Sequence, residues 1–163
     1  MSVLALGSLS ATTALGQAMA ACAQRLSPPA LLMRGALGAG KTTFVRAVVS
    51  ALPGADLAEV SSPSFNIVNL YPTTPIVAHF DLYRTHGLGL DADIEETLHD
   101  PQHWCLMEWA EYLPEPCIPT QYLAMDWITT DEQRIVRFHA QGHDAHEFAR
   151  CVFAMFDNTQ DAR

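Results

Sequence analysis

Residues Gly35 to Thr42 read GALGAGKT and fit the phosphate-loop pattern G-x-x-x-x-G-K-[ST] without a mismatch. The chemistry of such a loop is anion capture. Gly35, Gly38 and Gly40 let the backbone curl so that successive N–H groups face one concavity. A helix starting near Lys41 would add its positive end. The ammonium of Lys41 would reach the β- and γ-phosphates of a nucleoside triphosphate, and the Thr42 hydroxyl would ligate Mg²⁺. Lys41 is also the one lysine among 163 residues; every other basic group is arginine or histidine.

Phosphoryl chemistry further needs a carboxylate for the metal and a group that orients the attacking water. Two acidic residues stand at the ends of largely apolar, strand-like runs: Asp81 at the end of IVAHFDL and Glu108 at the end of WCLMEW. Each could equally cap a strand or pair with an arginine. Ser61, Ser62 and Ser64 flank Pro63 in SSPSF, where a loop sensing the γ-phosphate would fall, and where an ordinary turn would look the same. Arg84 suits a phosphate or partner contact and a structural ion pair equally. The pairs His99/His103 and His143/His146 have helical spacing but no third ligand, and read as surface histidines.

These groups need a scaffold. Ser2–Leu6 reads as a short strand, Ser10 as an N-cap, and Ala11–Leu26 as a helix with apolar residues at helical spacing, stopped by Ser27, Pro28 and Pro29. Ala30–Arg34 is an apolar strand leading into the glycine loop, and Lys41–Leu52 a helix closed by Pro53 and Gly54. That strand–loop–helix order is the context a phosphate loop requires. Phe65–Tyr71 and Ile76–Leu82 predict an antiparallel hairpin around Pro72–Pro75. Asp91–Leu98 predicts a short helix, Trp104–Trp109 a buried strand, and Glu111–Pro119 a proline-rich loop. Gln121–Ile128 and Gln133–Ala140 predict two strands joined at Thr129–Glu132, followed by a helix over His143–Phe156. The expected fold class is α/β: one phosphate-loop NTPase-like domain over residues 1–156, with a mixed parallel and antiparallel sheet flanked by helices, and a frayed tail at 157–163.

Composition narrows the function. Hydrophobic residues make up 49% and charged residues 17%, which suits a globular chain. The formal charge of −9 opposes direct RNA or DNA binding, which rests on a basic patch, and favours a protein partner with a basic face. Cys22, Cys105, Cys117 and Cys151 form no C-x-x-C pair and read as buried free thiols, as in a reducing cytosol. No signal peptide or membrane span is expected. A guanine-reading NKxD motif would need a second lysine, which the chain lacks.

Taken in order and spacing, GALGAGKTTFVR, SSPSFNIV, HFDLYR and MEWAEYLP resemble the TsaE family, the bacterial ATPase subunit of the system that makes threonylcarbamoyl-adenosine beside the tRNA anticodon. The resemblance implies that Leu37, Gly38, Ala39, Gly40, Lys41, Thr42 and Thr43 bind the phosphates of ATP. It implies that Thr42 ligates Mg²⁺, that Asp81 and Glu108 are the catalytic and metal-associated carboxylates, that Ser64 supplies the switch hydroxyl, and that Trp109 lies near the nucleotide. It implies a cytoplasmic Mg-dependent ATPase, weak alone, working with TsaD and TsaB and meeting tRNA only through them. Ala36 stands where the family commonly has an acidic residue, and Ala110 where it has proline. The residues themselves also allow a nucleotide-gated interaction module with little hydrolysis, or a small-molecule kinase, although no arginine cluster suggests a kinase lid.

Overall fold

A computed structural model describes residues 2–57, 66–86, 88–130 and 133–161, without the side chains of 160 and 161. In chain order the elements are β1 (Ser2–Leu6), α1 (Leu9–Ala23), β2 (Ala30–Gly35), α2 (Lys41–Ser50), β3 (Val68–Tyr71), β4 (Ile76–Asp81), α3 (Ala92–His99), β5 (His103–Glu108), β6 (Tyr122–Thr129), β7 (Arg134–Gln141) and α4 (His143–Asp161). The strands form one sheet in the order β1-β7-β6-β2-β5-β4-β3. Its centre, β6-β2-β5-β4, is parallel, while β3, β7 and β1 join antiparallel at the flanks. The α/β class and the mixed sheet expected from the sequence are both present.

The central strands are mostly apolar because both faces are covered. On one face Leu31, Met33 and Leu106 pack with Leu15 of α1, Phe44 and Val48 of α2, and Phe148 of α4. On the other, Leu32, Phe80 and Met107 pack with Ile94 and Leu98 of α3 and with Leu113. Trp104 and Trp127 are both core residues, and the Trp104 indole donates to Pro29 O at 2.9 Å.

Several boundaries differ from expectation. Helix α1 is capped by Ser8, not Ser10: Ser8 is extended (φ −154°, ψ 164°) and its Oγ accepts from Ala11 N at 3.1 Å. The helix ends at Ala23 instead of Leu26. Strand β3 begins at Val68, because Ile67 adopts a left-handed φ of 65° that breaks the extended run; Phe65 lies outside the described residues. Helix α4 continues past Phe156 to Asp161, where a frayed tail was expected. The proline-rich loop contains two 3-10 turns, Ala110–Tyr112 and Glu115–Cys117.

The cysteines correct a second expectation. Cys105 and Cys117 are free and buried, and burial pushes the Cys105 thiol up to about 12. Cys22 and Cys151, expected as free thiols, instead form a disulfide between α1 and α4 with a Cα–Cα distance of 6.0 Å. They are 129 residues apart, so only the side-by-side packing of the two helices brings them together.

Helix α1 presses directly on α2. A Cβ added at Gly16 would lie 2.6 Å from the Cβ of Ala47 and 2.9 Å from backbone atoms of Ala47 and Val48. Gly16→Ala is expected to lower the free energy of unfolding by about 1–2 kcal/mol, since overpacking against rigid backbone outweighs the gain of up to about 1 kcal/mol in helix propensity. Urea unfolding of the two proteins measures this directly.

Candidate functional site

The glycine loop leaves β2 and enters α2 at Gly40, the N-cap, with φ 110°. Glycine offers no side chain to cap the helix, so the N-terminus of α2 is a ready anion site. Helical bonding begins at once with Phe44 N donating to Gly40 O at 2.9 Å. At Gly35 two constraints coincide: φ is +134°, and an added Cβ would run into the carbonyl oxygen of Trp127 on the adjoining strand β6.

Lys41 is only 4% exposed. Its ammonium donates to Gly35 O at 2.5 Å and to Ala36 O at 3.1 Å, and lies 4.1 Å from the centre of the Trp109 ring. Ala36 therefore contributes its backbone carbonyl. Burial lowers the Lys41 pKa, opposed by the charges of Glu108, Glu111 and Asp81. The ammonium thus rests on carbonyl dipoles and a π-face, contacts that a phosphate could replace.

Asp81 and Glu108 are register partners on the parallel strands β4 and β5, so both side chains leave the same sheet face at the same level. Both are buried. Asp81 Oδ1 accepts from Tyr83 N at 3.1 Å, capping the 3-10 turn Leu82–Thr85. The two oxygens of Glu108 are engaged separately. Thr42 Oγ1 donates to Oε2 at 2.9 Å, and His79 Nε2 bonds Oε1 at 2.9 Å. Behind His79, its Nδ1 lies 3.5 Å from the Tyr71 hydroxyl.

Trp109 follows Glu108 in a left-handed conformation (φ 57°, ψ 42°), unusual for a bulky aromatic residue and typical of positions where surrounding structure imposes it. Here aromatic contacts hold it: the ring is parallel to Tyr112 at 6.0 Å and tilted against Tyr83 at 4.8 Å. The result is an indole fixed over the Lys41 ammonium.

A cleft of about 480 Å³ is lined by Leu37, Gly38, Ala39, Gly40, Lys41, Thr42, Thr43, Asp81, Tyr83, Arg84, Glu108 and Trp109. Its volume is ordinary for a small-molecule site. The structure thus brings together every site residue named from the sequence except Ser64, which lies outside the described residues with Ser61 and Ser62. Arg84 lines the cleft wall. Tyr83, His79 and Tyr71 were not singled out. His79 had a signal: it stands two residues before Asp81 in a strand, hence on the same face. His99, His143 and His146 are exposed and His103 half-buried, and among the described residues no group of three or more His, Cys, Asp or Glu could hold a metal by itself.

The family model described as threonylcarbamoyl adenosine biosynthesis protein TsaE matches residues 6–136. The tRNA threonylcarbamoyladenosine biosynthesis protein TsaE of Bacillus subtilis is 32% identical over 114 residues, covering 69% of this chain and 70% of that protein. Its namesake in Aquifex aeolicus is 39% identical over 88 residues, covering 53% and 61% respectively. The crystal structure of Bacillus subtilis YdiB shares the fold, with a TM-score of 0.72 over 94% of both chains at 24% identity.

The Gly35 contact yields a test of the loop. Gly35→Ala is expected to cost about 2 kcal/mol or more, from left-handed strain and the clash with Trp127, and to weaken nucleotide binding at least about tenfold. Thermal unfolding and calorimetric titration with ATP give the two readings.

Proposed function

The chain belongs to the TsaE family, and from that premise we propose that it binds and hydrolyses MgATP to drive threonylcarbamoyl-adenosine modification of tRNA together with TsaD and TsaB. The observation that carries the hydrolytic part is the contact between Thr42 and Glu108, which joins the phosphate loop to the strand-end carboxylate. A glycine turn without phosphoryl chemistry has no need of a buried carboxylate on its threonine.

The donor set suits a magnesium nucleotide. Mg²⁺ prefers oxygen ligands and is commonly held by one or two carboxylates plus substrate phosphates, without an all-protein cage. Thr42, Glu108 and Asp81 supply such oxygens in one cleft. An ion held by these residues would offset the charge that develops on the phosphate oxygens.

The chain's own residues have separable tasks. The backbone from Leu37 to Thr43 cradles the phosphates. Lys41 exchanges its contacts with Gly35 O and Ala36 O for phosphate oxygens. One of Asp81 and Glu108 completes the metal shell, directly or through water, and the other orients or deprotonates the attacking water. Ser64 serves as the γ-phosphate-sensing hydroxyl, and Trp109 walls the site beside Lys41. The acidic surface suits contacts with protein partners that handle the tRNA themselves. The cytoplasm, where tRNA is modified, is the proposed location; no described helix is long and apolar enough to cross a membrane.

Phosphate release with and without TsaD and TsaB tests the proposal. Stimulated ATP hydrolysis is the expected result; ATP binding without it favours a nucleotide-gated module. Lys41→Ala is expected to weaken ATP binding by about a hundredfold or more, since each lost charge-assisted bond costs about 1.5–3 kcal/mol. Glu108→Ala should keep ATP affinity within about fivefold while turnover falls at least about a hundredfold, the pattern of a group that acts mainly in the transition state. Normal turnover in that variant would remove Glu108 from its assigned role.

A further inference from the structure

His79 has no exposed surface at all and lies in the middle of β4. Val77 on its own strand and Leu106, its register partner on β5, are apolar and on the same face of the sheet. A leucine there would fill the space without a polar group to satisfy. Burying an imidazole is tolerable only if its nitrogens are hydrogen-bonded. Both are engaged, and in one line: the Tyr71 hydroxyl lies 3.5 Å from Nδ1, while Nε2 is 2.9 Å from Glu108 Oε1.

The direction of these bonds follows from the acceptor. A carboxylate oxygen accepts, so Nε2 carries a proton and donates it toward Oε1. Thr42 donates to the other oxygen, Oε2. A Glu side chain turns freely about its last torsion, where the energy wells are broad. One donor would leave the carboxyl plane loose; two donors on separate oxygens fix it. The same logic governs metal sites, where outer partners orient the groups that touch the ion.

We propose that His79, backed by Tyr71, is the positioning residue of Glu108: it holds Oε1 so that Oε2 stays on Thr42 and faces the phosphate cleft. The assignment deepens the proposed MgATP chemistry and rests on it for its kinetic consequence.

Two measurements on the full chain test the inference. In the nucleotide-free protein, ¹⁵N NMR of the histidine side chains should show a proton on Nε2 of His79, with a resonance that moves in Glu108→Gln. An unprotonated Nε2 overturns the proposal whether or not the chain hydrolyses ATP. In the partner-containing phosphate-release assay, His79→Leu should lower kcat by about tenfold or more while the dissociation constant for MgATP stays within about threefold, the split expected of a residue acting on the transition state. His79→Gln, whose amide nitrogen can take the place of Nε2, should return kcat to within about threefold of the unsubstituted chain. Turnover in His79→Leu within about twofold of normal, or no recovery in His79→Gln, overturns the positioning role. If the unsubstituted chain with its partners releases no phosphate, the MgATP reading fails instead, and the NMR result still decides where His79 holds its proton.

Discussion

The site depends on the parallel register of three strands. Met33 of β2 is opposite Glu108 of β5, and Glu108 is opposite Asp81 of β4. That row places the start of the glycine loop and both carboxylates at the same carboxyl edge of the sheet, where open α/β sheets bind their ligands. A slip of one residue between β5 and its neighbours would turn Glu108 to the opposite face, toward α3 and away from Thr42. Near-continuous burial of the central strands makes such a slip costly, because it would also exchange Leu106 and Met107 between two differently shaped cores. Hydrophobic packing thereby sets the position of the charged groups.

Within that frame the charges are balanced locally. One ammonium sits among Glu108, Glu111 and Asp81, and its burial works against their attraction. Two carbonyl oxygens and the Trp109 face stabilise Lys41 in the absence of a ligand. Glu108 is satisfied by Thr42 and His79. The cleft therefore holds few groups that must be newly dehydrated when an anion enters; contacts are exchanged more than created. Such pre-organisation is how a site avoids reorganisation at the moment of reaction.

Much of this was legible in the sequence, for local reasons. The phosphate loop has its chemistry within eight consecutive residues. Asp81 and Glu108 stood out because each interrupts an apolar strand at its end. What the sequence hid was long-range. Ser8 and Ser10 are both competent caps two residues apart, and only the backbone conformation of Ser8 decides between them. Cys22 and Cys151 meet through helix packing across 129 residues. His79 bonds a partner 29 residues away, so within its own strand it looks like one polar interruption among apolar residues. Ile67 carries a left-handed φ that nothing in its type foretells, and it shortens β3.

Precision in the site is inherited from elements behind it. Thr42 is on the first turn of α2, and α2 is seated against α1 at a contact so close that only glycine fits at position 16. Helix α1 is in turn joined to α4 through Cys22 and Cys151, and both helices share the core built on Phe148 and Leu15. Helix α4 begins at His143, beyond the residues 6–136 that match the family model. It carries no group of the cleft, yet it buttresses the helix that supports the phosphate loop. A catalytic geometry must be held within about 0.5 Å by elements that are themselves locked by packing. In this chain that support runs from α4 through α1 to α2 on one side of Thr42, and from Tyr71 through His79 to Glu108 on the other. The Thr42–Glu108 bond is where the two supports meet.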